Sequence, residues 1–235
     1  MILATAMSDP EPPTAPTAMA VEFRSPSSFL IAYTMHLSRG GLFLETVHEL
    51  PVGAALDLAI EVPGAAPVGI QGQVAWRRAE AGPDGPPGVG VEVAEVSASV
   101  GQLIDRLVSD FHGISVLVMA GDSNDRAALG RLIRSAVGSA NLVHAADAQL
   151  ADTLLTEDTD LAVIDLDGDP EGGQAAIRRA RGLARAVPVI ALASSPWLRD
   201  VARGAGADEL IGSPPALEEL QVAVVRALCR PFAIR

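Results

Sequence analysis

The densest run of chemically capable side chains lies at residues 165–171, where four of the seven residues are acidic. Carboxylates that alternate along a glycine-containing loop are typical of a calcium-binding loop. Here, however, Pro170 stands where that loop needs glycine, and Ala176 stands where it needs a bidentate glutamate. The run therefore favours a solvated acidic loop, and no metal site is predicted. If a cation did bind, Asp122 and Asp165 would be its candidate ligands.

Nucleophilic and metal-binding side chains elsewhere form no catalytic pattern. Ser194, Ser195 and Ser213 stand near predicted strand ends, but no Gly-x-Ser-x-Gly turn and no suitably placed histidine accompanies them. All 17 basic residues are arginine, so no lysine can serve as a Schiff base or a general base. We therefore predict no catalytic residue and no enzymatic activity. The four histidines lack metal-ligand spacing and lie at His36, His48, His112 and His144.

The composition limits the partners and the location of the protein. Its net charge is −12, and its short arginine groups at 77–78 and 178–181 are typical of solvated faces, so we predict no nucleic-acid partner. Cys229, the only cysteine, falls in an apolar helical pattern and is expected to be buried. No apolar run approaches the ~18 residues needed to span a membrane. Residues 1–20 lack the pattern of a signal peptide. We expect a cytoplasmic protein without membrane insertion.

The first half of the chain has the texture of an all-β domain. Residues 1–18 are rich in Pro, Thr and Ala and are predicted to form a disordered tail. From residue 19 onward, short apolar alternations are separated by Gly and Pro clusters, which is typical of β-strands. A helix at residues 98–112 then closes this domain, which spans residues 19–112. Six strands are predicted, at residues 20–24, 32–37, 42–46, 54–61, 68–78 and 88–93.

The second half, residues 114–230, alternates between strands and helices. Five βα units with mostly continuous apolar strands predict a parallel sheet that is covered on both faces. Function in such sheets lies at the carboxyl ends of the strands. The strands are predicted at residues 115–120, 141–144, 161–165, 187–193 and 209–211, and the helices at 125–137, 147–156, 173–185, 197–205 and 217–229.

The segment around residue 38 carries a distinctive motif. Residues 33–46 read YTMHLSRGGLFLET, and residues 36–41 occupy the positions of an Asp/Asn-x-Ser-x-x-Gly motif. Residues 72–76 (GQVAW) and 88–93 (GVGVEV) look like later strands of the same family. This part of the chain resembles the PilZ domain family. The resemblance implies a six-stranded β-barrel with a C-terminal helix, and a link to cyclic di-GMP signalling.

The ligand site that this resemblance implies is incomplete. In the family, an Arg-x-x-x-Arg segment ahead of the barrel clamps the phosphates, but here no arginine precedes residue 24 and residue 28 is serine. A histidine also replaces the usual Asp or Asn of the second motif. The chain is most similar to PilZ proteins that lack the arginine pair and work as interaction modules. If cyclic di-GMP binds, the resemblance implies contacts at Arg24, His36, Ser38, Arg39 and Gly41.

Residues 114–229 resemble the response-regulator receiver domain, which has a (βα)5 flavodoxin-like fold. The resemblance implies that Asp165 occupies the phosphoacceptor position. The other groups of that chemistry are replaced, which indicates a pseudo-receiver with no cofactor and little affinity for Mg²⁺. Ala120 and Gly121 stand in place of the acid pair that holds Mg²⁺, Ala193 in place of the hydroxyl residue, and Ser213 in place of the lysine.

Three functions follow from these two resemblances. The first is a bacterial signalling adaptor that acts by protein–protein interaction, with signalling or motility proteins as partners. Such an adaptor could form a homodimer through the later helices of the receiver-like domain, where Trp197 is either a contact anchor or a core residue. The second function is a cyclic di-GMP effector, and the third is a phosphorylation-dependent regulator that uses Asp165. The motility setting is a family-level association only.

Overall fold

A computed structural model describes residues 15–80, 82, 86–93 and 97–235. Most of the predicted N-terminal tail, residues 1–14, lies outside this part of the chain. Strand β1 begins at Thr17, so the predicted tail extends two residues too far. The reason is that Thr17 and Ala18 pair with a neighbouring strand, which their Pro-rich surroundings do not reveal.

The first half of the chain supplies five strands of a six-stranded sheet. Three of its strands alternate buried residues with more exposed ones, as expected for a sheet with one face on a core. The strand order is β11-β1-β3-β4-β5-β2, in which β11 is a C-terminal strand described below. No pairing among the described residues joins β11 to β2, so closure into a barrel remains a prediction. The other strands are β1 (Thr17–Glu22), β2 (Gly41–Leu44), β3 (Ala55–Glu61), β4 (Val68–Arg78) and β5 (Gly88–Val93).

The predicted strand at residues 32–37 is wrong, because this segment is helical. Helix α1 (Pro26–Met35) begins with a capping box in which the Ser25 hydroxyl accepts from the backbone N–H of Ser28 at 3.1 Å. A short 3₁₀ helix (Leu37–Arg39) follows and ends at Gly40, whose φ of 84° favours glycine. The apolar alternation after residue 31 suggests a strand, but the capping signal at Ser25 decides the local structure.

Helix α2 (Ala98–Ser109) confirms the predicted closing helix. The Ser97 hydroxyl caps its first turn by accepting from the backbone N–H of Val100. One face of the helix is buried, and it contributes Val100, Leu103 and Leu107 to the core of the first domain. The predicted helix is three residues too long at its C-terminal end.

The second half of the chain forms a parallel five-stranded sheet with helices on both faces, as predicted. The strand order is β10-β9-β8-β6-β7, which is the 2-1-3-4-5 order of flavodoxin-like folds. The strands are β6 (Ile114–Met119), β7 (Ala140–Ala145), β8 (Leu161–Asp165), β9 (Val189–Leu192) and β10 (Glu209–Ile211). The helices are α3 (Ser123–Ala136), α4 (Ala148–Leu154), α5 (Pro170–Arg181), α6 (Pro196–Ala205) and α7 (Leu217–Cys229).

The end of the chain returns to the first domain. Strand β11 (Ala233–Ile234) pairs antiparallel with β1, and the Arg235 guanidinium donates to Glu22 at 2.8 Å and to Glu61 at 3.0 Å. Helix α7 packs against α1, and Cys229 at its end belongs to the hydrophobic core of the first domain. The two halves therefore share a packed interface and one sheet, which no local sequence pattern indicates.

Candidate functional site

A groove of about 710 Å³ lies between the first sheet and the C-terminal end of α7. Residues 35–36, 39–43 and 45, together with strands β4 and β5, form one wall. The other wall comes from the second domain, at residues 208–209 and 226–231. The groove is therefore a property of the joined domains, and neither half forms it alone.

An aromatic pair lies on the sheet side of this groove. The rings of Phe43 and Trp76 stack with their centroids 5.4 Å apart and their planes inclined by 16°. The guanidinium of Arg78 lies over both rings, 5.3 Å and 5.4 Å from their centroids. A β-carbon at residue 90 would collide with the indole of Trp76, so Gly90 allows the indole to lie close against the sheet. Trp76 remains 45% exposed.

Charged side chains of both signs surround the aromatic pair. Arg230 crosses from the second domain to the first, where it pairs with Glu45, and it also contacts Asp208 at 3.2 Å. Arg226 lies 4.0 Å from Glu209, at the limit of an ion pair, and burial raises the pKa of the Glu209 carboxyl. Arg39 forms no ion pair with any described residue.

The structure brings three of the five predicted ligand residues to this groove. His36, Arg39 and Gly41 line it, and burial together with the nearby Arg39 lowers the pKa of the His36 imidazole. Ser38 lies in the same turn, but its hydroxyl donates to the carbonyl of Thr34 at 3.1 Å. This serine therefore has a local structural role.

Arg24, the fifth predicted ligand residue, lies elsewhere. It is only 6% exposed and is enclosed between the two domains. Its Nε donates to the carbonyl of Ala186 at 3.0 Å, and its Nη2 donates to the carbonyl of Glu157 at 2.9 Å and to that of Arg185. Arg24 thus joins the domains and is separated from the residues that line the groove.

The receiver-like edge of the second sheet places Asp165 at the end of β8. Burial raises the pKa of its carboxyl. Its Oδ1 accepts from the backbone N–H of Asp167 at 3.1 Å, and the Ser213 hydroxyl lies 3.5 Å away. Asp167 in turn accepts from the hydroxyl of Ser194 at 2.8 Å. Serine hydroxyls therefore surround these acids where the receiver resemblance expects fixed positive charge.

Asp122 has a structural role in this edge. Its carboxylate caps α3 by accepting from the backbone N–H groups of Asn124 and Asp125, which lowers its pKa. The guanidinium of Arg126 donates to the carbonyls of Ala120 and Gly121, at the positions where the resemblance expects the acid pair. Within the part of the chain that the structure describes, no cluster of three or more metal-ligating side chains occurs.

Incubation with a small-molecule phosphodonor and Mg²⁺ is expected to leave the protein without a covalent phosphate. The reason is that a serine replaces the lysine beside Asp165, and an arginine occupies the region where Mg²⁺ would be held. Intact-protein mass spectrometry measures the outcome, with Asp165→Asn as the matched control. An adduct that forms in the natural chain and disappears in Asp165→Asn would contradict this prediction.

The structure shows whether Trp197 and Cys229, two residues with predicted roles, are exposed or buried. Trp197 is 63% exposed on α6, so the core-packing interpretation of this residue is wrong. Cys229 is buried as predicted, and burial raises the pKa of its thiol to about 12. None of the helices in the described ranges is long and apolar enough to cross a membrane.

Comparison with known proteins divides the chain between the two domains that the structure shows. The family model of the PilZ domain matches residues 15–110. No curated protein matches the chain.

Solved structures that resemble the protein cover its other half. One is the receiver domain of a sensor histidine kinase from Pseudomonas aeruginosa, at 22% identity and a TM-score of 0.44 over 49% of this chain and 98% of that one. Another is the receiver domain of a DNA-binding response regulator from Colwellia psychrerythraea, at 20% identity and a TM-score of 0.42. The match covers 48% of this chain and 96% of that one. A third is the receiver domain of a Saccharomyces cerevisiae response regulator, crystallised with its histidine phosphotransfer protein, at 22% identity and a TM-score of 0.43. The match covers 51% of this chain and 91% of that one.

Proposed function

We propose that the chain is a signalling protein and a non-enzymatic adaptor that binds other proteins. The proposal is supported by a PilZ domain at residues 15–110 and a receiver-like domain after it. The observation that carries the proposal is the receiver-like edge. Asp165 keeps the phosphoacceptor position, but its neighbours are Ser213 and the backbone of Asp167, and Asp122 is engaged as a helix cap. An edge of this kind supports recognition better than phosphoryl transfer.

The surface that we propose for partners is α6. Helix α7, the other late helix of the receiver-like domain, is engaged with α1 on one side, so it is less available to an external partner. Helix α6 presents the exposed indole of Trp197, a residue type enriched among binding hot spots. Signalling or motility proteins are the proposed partners, and a second copy of the chain is another. The motility setting comes from the PilZ family alone.

Trp197→Ala is expected to weaken partner capture by the two-domain chain about 30-fold, because a central aromatic anchor contributes about 2 kcal/mol or more. The measurement is quantitative mass spectrometry of captured proteins, together with the molar mass of the purified chain in solution. Val52→Ala is the matched control, since Val52 is also an exposed apolar residue but lies in the PilZ domain. Equal capture by the natural and Trp197→Ala chains would remove α6 as the proposed surface.

A second candidate function is that of a cyclic di-GMP effector. The observation that favours it is the groove, which brings His36, Arg39 and Gly41 together beside an aromatic pair. Substitution of Arg39 tests this function better than substitution of Ser38, because the Ser38 hydroxyl already donates to the carbonyl of Thr34. Calorimetric binding of cyclic di-GMP by the full chain, weakened in Arg39→Ala, is the result that this function requires.

A further inference from the structure

We propose that the groove is a composite nucleotide site, in which a base stacks beside Trp76 and a phosphate is held between Arg39 and Arg226. The receiver-like domain then supplies part of the binding site, since Arg226 belongs to α7. This inference rests on the second function above and goes beyond it, because it assigns a ligand contact to the other domain.

The aromatic wall is suited to a planar base. Trp76 is backed by the sheet at Gly90 and flanked by Phe43, so its indole is held in place before a ligand arrives. Arg78 lies over both rings and donates to the carbonyl of Pro86 at 3.1 Å, so a base reaches the indole at the part of Trp76 that Arg78 leaves exposed. Stacking of a base on an aromatic side chain contributes about 1–3 kcal/mol and does not depend strongly on base identity.

The cationic side chains lie on both walls of the groove. Arg226 lies in the last turn of α7, and Arg230 follows directly after the helix. Arg230 is engaged by Glu45 and Asp208, so it ties the walls together and is not free for a ligand. The Arg226 side chain is 52% exposed and only marginally paired. Arg226 and Arg39 lie on opposite walls and give the groove two available guanidinium groups. Each of these groups can bind a phosphate through two hydrogen bonds.

The dimensions and the charge of the groove narrow the ligand class. A volume of about 710 Å³ lies within the range of small-molecule sites and suits a mononucleotide or a cyclic dinucleotide. An extended nucleic acid is disfavoured by the net charge of −12 and by the acidic residues Glu45, Glu92 and Glu209 in the groove. A ligand that combines a flat ring with one or two phosphates matches both the aromatic wall and the two guanidinium groups.

The two tryptophans of the chain allow a direct test. Trp197→Phe leaves Trp76 as the sole tryptophan, so changes in its fluorescence report on the groove. We expect cyclic di-GMP to change this fluorescence in a saturable way. In the same background, Arg226→Ala is expected to weaken binding on the order of tenfold or more, because a charge-assisted phosphate contact is lost. Arg131→Ala, an exposed arginine of α3, is the matched control and should leave binding unchanged.

The possible results separate the two proposals. Binding of cyclic di-GMP that is the same in Arg226→Ala would overturn the composite site and leave the effector function standing. No binding of cyclic di-GMP or GMP, by fluorescence or by calorimetry, would overturn both. Inorganic phosphate that binds as tightly as the nucleotides would show that the base is not recognised, and the nucleotide class would then be wrong. Thermal unfolding of each variant checks that the fold is retained.

Discussion

Replacing Arg24 with methionine is expected to lower the free energy of unfolding by about 3 kcal/mol. The guanidinium donates to the carbonyls of Ala186, Glu157 and Arg185, and these bonds join the segment between β1 and α1 to the second domain. Methionine preserves much of the length of the side chain but leaves those carbonyls without a donor. The measurement is the free energy of unfolding obtained from chemical denaturation of the chain.

Two further variants make the Arg24 prediction specific. Arg24→Lys keeps the positive charge, but a lysine cannot reach several carbonyls through a planar fork, so we expect an intermediate loss. Arg131→Met removes an exposed arginine and should change the free energy of unfolding by less than about 0.5 kcal/mol. If Arg24→Met were as stable as Arg131→Met, the contacts of Arg24 would contribute nothing to the joint between the domains.

The elements of the second domain could be predicted closely from the sequence, and the reason is the chemistry of a parallel sheet. Its central strands are buried on both faces and therefore appear as continuous apolar runs, which the helices separate regularly. The predicted bounds of β8 (Leu161–Asp165), β10 (Glu209–Ile211) and α7 (Leu217–Cys229) agree with the structure. In this fold a helix follows each strand, so the alternation of strand and helix patterns along the sequence predicts most of the topology.

Elements that depend on distant parts of the chain could not be predicted in the same way. Strand β11 consists of two residues, and its pairing with β1 joins residues more than 200 positions apart. The sequence predicts a strand over the end of helix α1, because the apolar residues there alternate over a short distance. The capping box at Ser25 is a local signal that could have corrected this error.

The candidate site shows the same division between local and distant information. The turn that carries His36, Arg39 and Gly41 is a local motif, and its residues do line the groove. The opposite wall comes from Arg226 and Arg230, whose contact with the PilZ domain depends on how the domains pack. The interpretation of Arg24 as a ligand contact is wrong because its true contacts are distant in the sequence. Its partners lie 133 to 162 residues away, and no local pattern indicates them.

Cys229 is expected to react with a thiol reagent about a thousandfold more slowly than an unhindered cysteine at pH 8. Burial raises the pKa of its thiol to about 12, so only about one molecule in ten thousand carries the reactive thiolate at that pH. The residue is also only 8% exposed. The measurement is the rate of modification of the native protein, with Cys229→Ser as the blank. A rate like that of a free thiol would show that the thiol is not held in the core of the PilZ domain.

Deletion of residues 231–235 is expected to raise this rate at least about tenfold, because it removes β11 and releases the end of α7 from the first sheet. Burial of Cys229 depends on both domains, since it lies on α7 and packs into the core of the PilZ domain. Arg235→Ala is the matched control: it removes the ion pairs to Glu22 and Glu61 but keeps the strand, and exposed pairs contribute little. A deletion variant that reacts as slowly as the natural chain would mean that β11 does not hold the domains together, and that the packing of α7 against α1 is sufficient.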